Sequence, residues 1–428
     1  MNMNEIFSKA LGIEKPWYVT SIDFDIQAKQ LNIRLDFEKG STFSFDQAEN
    51  QNSYTAYDTV EKEWRHLNFF EHECYLKARV PRIKTPDNKI HLIMPDWCGL
   101  QNGFTLLFEA LILQLSKGMP VHQVAKIVKL SDHKIWSILD KYTEEARSLN
   151  DYGKVTKIGM DETSLAKGHN YISLFVDLEE KKTMFVADGK DSATLQAFKE
   201  DFEKHKGCAT NITDVSCDMS PAFIKGVKEN LPAAKITFDK FHILKIINEA
   251  VDHVRRAEAK KNPMLKGTRY IFLKNEKNLT QAQSEKKAEL KLSKINSTLF
   301  RALNLRETFQ QIYSASTEEV FKSLLNKWYY WATHSRLEPM KKAAKTIKRH
   351  WEGVIQWKSS NINNGIMEGL NSIVQAAKRK ARGYKSKHFK TITYLITGGL
   401  DFNKINQAYL PTPGCEFFYY RSGYVVMN

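Results

Sequence analysis

Between residues 155 and 240 the chain passes through a fixed order of short apolar runs and amphipathic stretches, which constrains its fold more than any other feature. KIGMDE, NYISLFVDL and TMFVADG are apolar runs of strand length separated by short charged turns. ATLQAFKEDFEKH then reads as a helix, NITDVSCD as a strand, AFIKGVKENL as a helix and AKITFD as a strand. Successive strands predict an antiparallel meander, and strands alternating with helices predict parallel neighbours. The expected core is therefore an α/β fold on a mixed sheet.

What flanks this core has a different period. Ile22–Ile26 and Leu31–Leu35 alternate as half-exposed strands, the polar segment 41–53 reads as a loop, and strand-like sequence resumes from Tyr57 to Pro81. From Phe104 the spacing turns helical. Gly118-Met119-Pro120 breaks one helix, VHQVAKIV starts a second with Pro120 at its entry, and Leu130-Ser131-Asp132 turns into a third, HKIWSILDKY. Three short helices with a tight turn before the last fit either a helix-turn-helix or an ordinary helical bundle. Beyond Phe241 the chain reads as helical and basic to about residue 350, with Pro263 and Pro339 as its interruptions and a solvated helix pair around Lys274–Lys294. A final helix is expected from about Asn364, followed by a tail from Tyr409. The expected division is 1–100 (β-rich), 101–150 (helix-turn-helix), 151–245 (first part of the core), 246–350 (helical insertion) and 351–428 (last part of the core with the tail).

Composition narrows the class of partner. Lys and Arg outnumber Asp and Glu by 64 to 49, a formal +15 that favours a polyanion such as nucleic acid. The most apolar stretch, Leu106–Leu113, is interrupted by Glu109 and is far shorter than the ~20 residues of a membrane span, so no membrane is expected. Five scattered cysteines without a CxxC pair predict neither a disulfide framework nor a cysteine zinc site, and a reducing cytoplasm is expected.

Three acids occupy positions suited to chemistry. Asp161 is expected to end the first strand, Asp218 the fourth, and Glu368 to lie in the late helix. In an open sheet, ligands gather at the carboxyl ends of adjacent strands. Crowded carboxylates raise one another's pKa unless cations neutralise them, and hard oxygen donors suit Mg²⁺ or Mn²⁺. Two such ions about 3.5–4 Å apart would activate a water or sugar hydroxyl and stabilise the departing oxygen of a phosphodiester. Taken singly, each acid also fits a surface cap.

GMDETSLAKGHNYISLFVDL, VSCDMSPAFIKGVKENLPAAKITFDKFHILKIINEAVDHVRR and NNGIMEGLNSIVQAAKRKARGY together resemble the DDE transposases of bacterial insertion sequences, most nearly their ISL-three branch. The resemblance extends through YDTVEKEWRHLNFFEHECYLKARVPR and FTLLFEALILQL, roughly residues 55 to 400. It implies a ribonuclease-H-like mixed sheet with a large all-helical insertion, preceded by a small β-rich domain and a helix-turn-helix. It also implies Asp161, Asp218 and Glu368 as catalytic residues and metal ligands, with Asp239 and His242 in support. A helix-cap role fits Asp239 equally, and Glu162 reads as a neighbour of the site or a surface residue. The branch carries two CxxC zinc pairs, which would fall here at Phe45 and Ala48 and at Thr85 and Asn88. None is cysteine, so structural zinc is expected to be absent and the domain to fold through Tyr54, Tyr57, Trp64, Phe69, Phe70 and Tyr75, with His66 and His72 as surface or packing residues.

The expected DNA contacts are Lys126, His133 and Lys134 on the helix-turn-helix and Lys378, Arg379, Lys380, Arg382 and Lys385 after Glu368. The aromatic block Trp328–Trp331 reads as core or as a base-stacking platform. The function this implies is transposition. The chain would bind terminal inverted repeats on double-stranded DNA as a homodimer or larger assembly, cut with Mg²⁺ (or Mn²⁺ in its place), and transfer the strand, in a bacterial cytoplasm near the nucleoid. A decayed DNA-binding protein without catalysis and a plain metal-dependent nuclease are the alternatives.

Overall fold

The computed structural model describes residues 2–47, 50–101, 103–166, 170–274, 278–292, 297–360, 362 and 365–409. Ala48, Asn364 and the tail beyond Tyr409 lie outside these. The chain forms two compact units, one of residues 1–150 with 376–428 and one of residues 151–375.

The first unit opens with α1 (Met3–Ala10) and the strands β1 (Trp17–Asp25), β2 (Gln30–Phe37), β3 (Thr42–Gln47), β4 (Asn50–Thr55), β5 (Asp58–Arg65), β6 (Glu73–Lys84) and β7 (Ile90–Leu92). The main sheet runs β1-β2-β6-β5, with β7 also on β6. The polar segment 41–53 is not a loop: β3 and β4 pair as an antiparallel hairpin, with Phe43 opposite Tyr54 and Phe43 buried. Two-residue alternation there places an apolar side chain on one face despite a polar average. The core of the main sheet is chiefly aliphatic around Trp64, while Tyr54 packs in a second, aromatic cluster with Phe37, Phe43 and Phe45. Leu31, Ile33, Leu35, Cys74, Leu76, Ala78 and Val80 pack around Trp64, whereas Tyr57, Phe69 and Phe70 are exposed. Alternation along β2 and β6 sends the small branched residues inward and leaves those rings on turns or outward positions.

No zinc-like arrangement replaces the missing thiols at the described positions. Phe45 lies against His91 with ring centroids 4.3 Å apart, and Asn88 N–H donates to the Thr85 carbonyl at 2.9 Å in a tight turn. His66 is a packing residue, as expected. Its Nδ1 is 2.9 Å from Thr105 Oγ1, and burial, then the Arg65 charge, push its pKa down to about 4.

Helices α2 (Leu106–Gly118), α3 (Val121–Val128) and α4 (Asp132–Ser148) follow. Pro120 caps α3, Lys129 turns the chain in the left-handed region at φ 55°, and the Ser131 hydroxyl accepts from Lys134 N–H to start α4. Val121, Val124, Val128, Ile135, Ile138 and Leu139 close the three-helix core.

The second unit holds β8 (Lys157–Ala166), β9 (Asn170–Asp177), β10 (Lys182–Asp188), α5 (Ala193–Lys204), β11 (Asp214–Cys217), α6 (Pro221–Asn230) and β12 (Lys235–Phe238), the expected order. The sheet runs β10-β9-β8-β11-β12; β8, β9 and β10 are antiparallel, and β11 is parallel to both β8 and β12. Then come α7 (Lys240–Ala259), α8 (Arg269–Leu273), α9 (Gln281–Leu292), α10 (Ser297–Ile312), α11 (Glu318–His334), α12 (Glu338–Arg349), α13 (Trp351–Ser360) and α14 (Gly365–Lys380). Pro339 lies in the first turn of α12, just after the expected break that separates this helix from α11. The segment expected as a solvated pair contains one described helix, α9, with Leu290 buried in the core. The aromatic block divides. Trp328 is buried and donates to the Leu305 carbonyl at 2.8 Å, while Tyr330 and Trp331 are exposed.

α14 is not the final helix. α15 (Ser386–Thr397) follows it and packs in the first unit against α4, where the His388 and Trp136 rings stack 3.8 Å apart and Thr391 donates to Asp140 at 2.7 Å. No helix of the described residues is long and apolar enough to cross a membrane.

Candidate active site

Strand order brings the acids together. β8 lies at the centre of its sheet, with β11 and then β12 parallel beside it, so the carboxyl ends of all three open on one edge. Asp218 follows directly after β11 and Asp239 directly after β12. Asp161 is not at a strand end: β8 continues to Ala166, paired with β9, while its pairing with β11 stops at Gly159. The sequence KIGMDE ends in charged residues, yet the β9 partner extends the strand past them. Asp161 therefore stands where β8 outruns its parallel neighbour.

Each carboxylate has a defined environment. Asp161 is half-buried; its Oδ1 accepts the Glu162 N–H at 2.8 Å and its Oδ2 accepts the Asn371 side-chain amide. Burial pushes its pKa up to about 6, with Asp218 and Asp239 adding to the rise and the Glu162 N–H and His242 opposing it. Asp218 Oδ1 accepts the Ser220 N–H at 2.9 Å, in a turn that leads into α6. Asp239 caps α7 through Phe241 N–H at 2.7 Å, and its other oxygen lies 4.0 Å from His242 Nε2. Glu162 is also raised, by burial and then by Asp218, and has Lys190 4.0 Å away.

Glu368 is positioned differently. It sits exposed in the first turn of α14, and that helix is docked on β8 by its other residues. A Cβ on Gly159 would lie 2.6 Å from Met367 Sδ, so the glycine permits the close approach. Asn371 bridges Asp161 and Thr163, accepting the Thr163 hydroxyl at 3.0 Å, and Gln375 donates to Thr163 Oγ1 at 3.2 Å. At 3.6 residues per turn, Glu368, Asn371 and Gln375 fall on one stripe. Among the described residues, however, no three His, Cys, Asp or Glu side chains stand close enough to hold a metal ion. The acids and His242 around Asp161 share a field; Glu368 shares only the helix face. Asn371, Thr163 and Gln375 carry no charge and stand far apart in sequence, and only the spacing of Glu368, Asn371 and Gln375 hinted at them.

Comparison with known proteins identifies the family. The family described as Transposase matches residues 158–393, more than half of the chain, and the Helix-turn-helix domain of transposase family ISL3 matches residues 101–143. The chain belongs to this transposase family. Among its relatives is the transposase for insertion sequence element IS1557 of Mycobacterium tuberculosis, 26% identical over 354 residues, which covers 76% of this chain and 79% of that protein. The transposase for insertion sequence element IS1001 of Bordetella parapertussis is 26% identical over 346 residues, 78% of this chain and 84% of its own length. The helix-turn-helix match resolves the choice left open for α2–α4 in favour of a DNA-binding element. On it, Lys126, His133 and Lys134 are exposed, whereas Lys129 is held by Glu73 at 3.1 Å. Arg379, Lys380, Arg382 and Lys385 are exposed and Lys378 is half-buried, all at or after the end of α14.

Proposed function

We propose that the chain is a DNA transposase with a ribonuclease-H-like core that binds the terminal inverted repeats of its element, cleaves a phosphodiester and joins the freed 3′ hydroxyl to target DNA. The reading rests chiefly on the gathering of Asp161, Asp218 and Asp239 at one edge of three parallel strands, with the helix of Glu368 docked on the central one. The family match supports DNA as the substrate class.

The donors are hard oxygens of the kind that suits divalent cations, although no three of them stand close together among the described residues. Asp161, raised by burial and by the charges of Asp218 and Asp239, gains from a cation, and the oxygens suit Mg²⁺ or Mn²⁺. Asp161, Asp218 and Glu368 would hold the ions, which supply activation of a water or hydroxyl and charge stabilisation at the leaving oxygen. Asn371 and the Glu162 N–H orient Asp161; Asp239 and His242 tune the charge beside it. Lys126 on α3, His133 and Lys134 on α4, and the basic residues in the last turn of α14 and just after it would contact DNA phosphates and bases, and the two element ends would be paired by a dimer or larger assembly.

Asp161→Asn tests the assignment. Cleavage of the element ends in Mg²⁺ should vanish, as it should for the unaltered chain in EDTA, while end binding persists. Cleavage by the variant at the unaltered rate would refute the role of Asp161. A second reading, a binding protein without catalysis, is favoured by the absence of thiols at Phe45, Thr85 and Asn88. Tight end binding with no cutting in either Mg²⁺ or Mn²⁺ would establish it.

A further inference from the structure

The chain's positive charge is concentrated in the helical stretch. Residues 241–350 hold 23 Lys and Arg against 10 Asp and Glu, most of the formal +15. α12 focuses it. Met340, Ala343, Ala344 and Ile347 are its buried face. Lys341, Lys342, Lys345, Lys348 and Arg349 fall within an arc of about 120° on the other side, along about 12 Å of helix. Lys341 is paired with Glu338 at 2.8 Å, and Lys348 lies over the Trp351 ring at 3.9 Å. Lys342, Lys345 and Arg349 are exposed and form no ion pair among the described residues. Like charges three and four residues apart destabilise a helix, so this face is costly to the isolated protein and complementary to a polyanion.

The face leads toward the acids. Arg349 is followed by His350, which with Pro221, Ile224, Lys225, Lys228 and Glu229 lines a cleft of about 430 Å³. Pro221 begins α6, three residues after Asp218. The cations of α12 thus adjoin, through Arg349 and His350, a cleft that carries Lys228 and the Lys225–Glu229 pair (3.8 Å) and begins at Pro221, beside the carboxyl edge of the sheet.

We propose that the exposed face of α12 and the His350 cleft bind the phosphate backbone of double-stranded DNA and guide it to the acidic edge, independently of sequence and separately from the helix-turn-helix. The choice of DNA rests on the transposase reading. The face presents five cations against one carboxylate, Glu338, with no apolar anchor for a bilayer.

The test uses the full chain, a DNA duplex of arbitrary sequence and fluorescence anisotropy over a range of salt. Lys342→Gln, Lys345→Gln and Arg349→Gln combined should make the slope of log K against log salt shallower by about 3, near 0.9 for each phosphate no longer neutralised. Lys199→Gln, Lys204→Gln and Lys206→Gln combined remove the same charge from around α5 and should leave the slope unchanged. The charge-keeping pair Lys342→Arg and Lys345→Arg should also retain it, and a circular dichroism melt verifies that each variant folds. An unchanged slope in the α12 triple, an equal change in both triples, or a larger loss on duplex RNA than on DNA would overturn the proposal. The outcome is separable from catalysis. Asp161→Asn should keep the full slope; an unaltered chain that never cuts would sink the transposase reading without moving these slopes.

Discussion

At the scale of single residues, the side chain on which the site most depends is uncharged. Asn371 ties Asp161 on β8 to α14, with its amide donating to the carboxylate and its carbonyl accepting from Thr163. A hydrogen bond to a charged group contributes about 1.5–3 kcal/mol, and its loss would free Asp161 to swing. Asn371→Ala should therefore slow end cleavage by roughly 10- to 100-fold while end binding stays as it is. Single-turnover cleavage and a binding isotherm measured on the same preparation check this. Equal losses in both would point to misfolding, and Asn371→Asp should not rescue, because it would set a second carboxylate against Asp161.

At the scale of elements, the site depends on how closely α14 lies on β8. Gly159 is the point of approach: a side chain there meets Met367 Sδ at 2.6 Å and Leu178 Cδ2 at 2.8 Å. Alanine can be absorbed by a swing of the Met367 thioether. A branched residue cannot, and overpacking of this kind costs about 1–3 kcal/mol. Gly159→Val should push α14 outward, shift Glu368 and Asn371 away from Asp161, and abolish cleavage while leaving α2–α4 folded. Retained end binding with cleavage abolished is the expected pair of results, and normal cleavage would show that the helix position does not matter. The same logic explains why Glu368 alone of the expected acids is exposed. It follows Met367, the docked residue, and stands about 100° around α14 from it.

At the scale of the whole molecule, one buried carboxylate ties the first unit together. Glu109 on α2 accepts Leu100 N–H at 2.8 Å, Gln101 N–H at 2.9 Å and the Tyr142 hydroxyl at 2.7 Å, and Asn406 donates to Tyr142 at 2.9 Å. The chain leaving the sheet, the helix-turn-helix and the returning segment thus meet at one group. Burial pushes its pKa up to about 7, against the hydrogen bonds from Tyr142 and the two backbone N–H groups. Because the folded state holds this proton more tightly than the unfolded chain, its contribution is greatest below the ordinary glutamate pKa and is lost as pH rises through about 7. The melting temperature of the first unit should therefore fall between pH 5 and 8, by an equivalent of at most about 3 kcal/mol. Glu109→Gln should flatten that dependence, and a parallel slope in the variant would refute the assignment.

Much of this architecture was legible in the chain. The order of strands and helices from 155 to 240 follows from runs of two- and 3.6-residue period, and the mixed sheet from that order, because such patterns are local and survive any packing. Asp161 and Asp218 were visible as charged residues at the ends of apolar runs, whereas Asp239 and His242 came through the family resemblance. The β3–β4 hairpin was hidden by its polar average, and the aliphatic core of the first sheet by the conspicuous aromatics beside it. Glu109, which in sequence only interrupts an apolar run, becomes a buried tie once three distant segments converge on it. Asn371, Thr163 and Gln375 form their network from positions more than 200 residues apart. Local sequence determines which elements form and which faces they offer. Which uncharged groups meet a carboxylate, and whether Glu368 joins the other acids, is decided only when distant elements pack, since those contacts depend on register and approach that no single segment encodes.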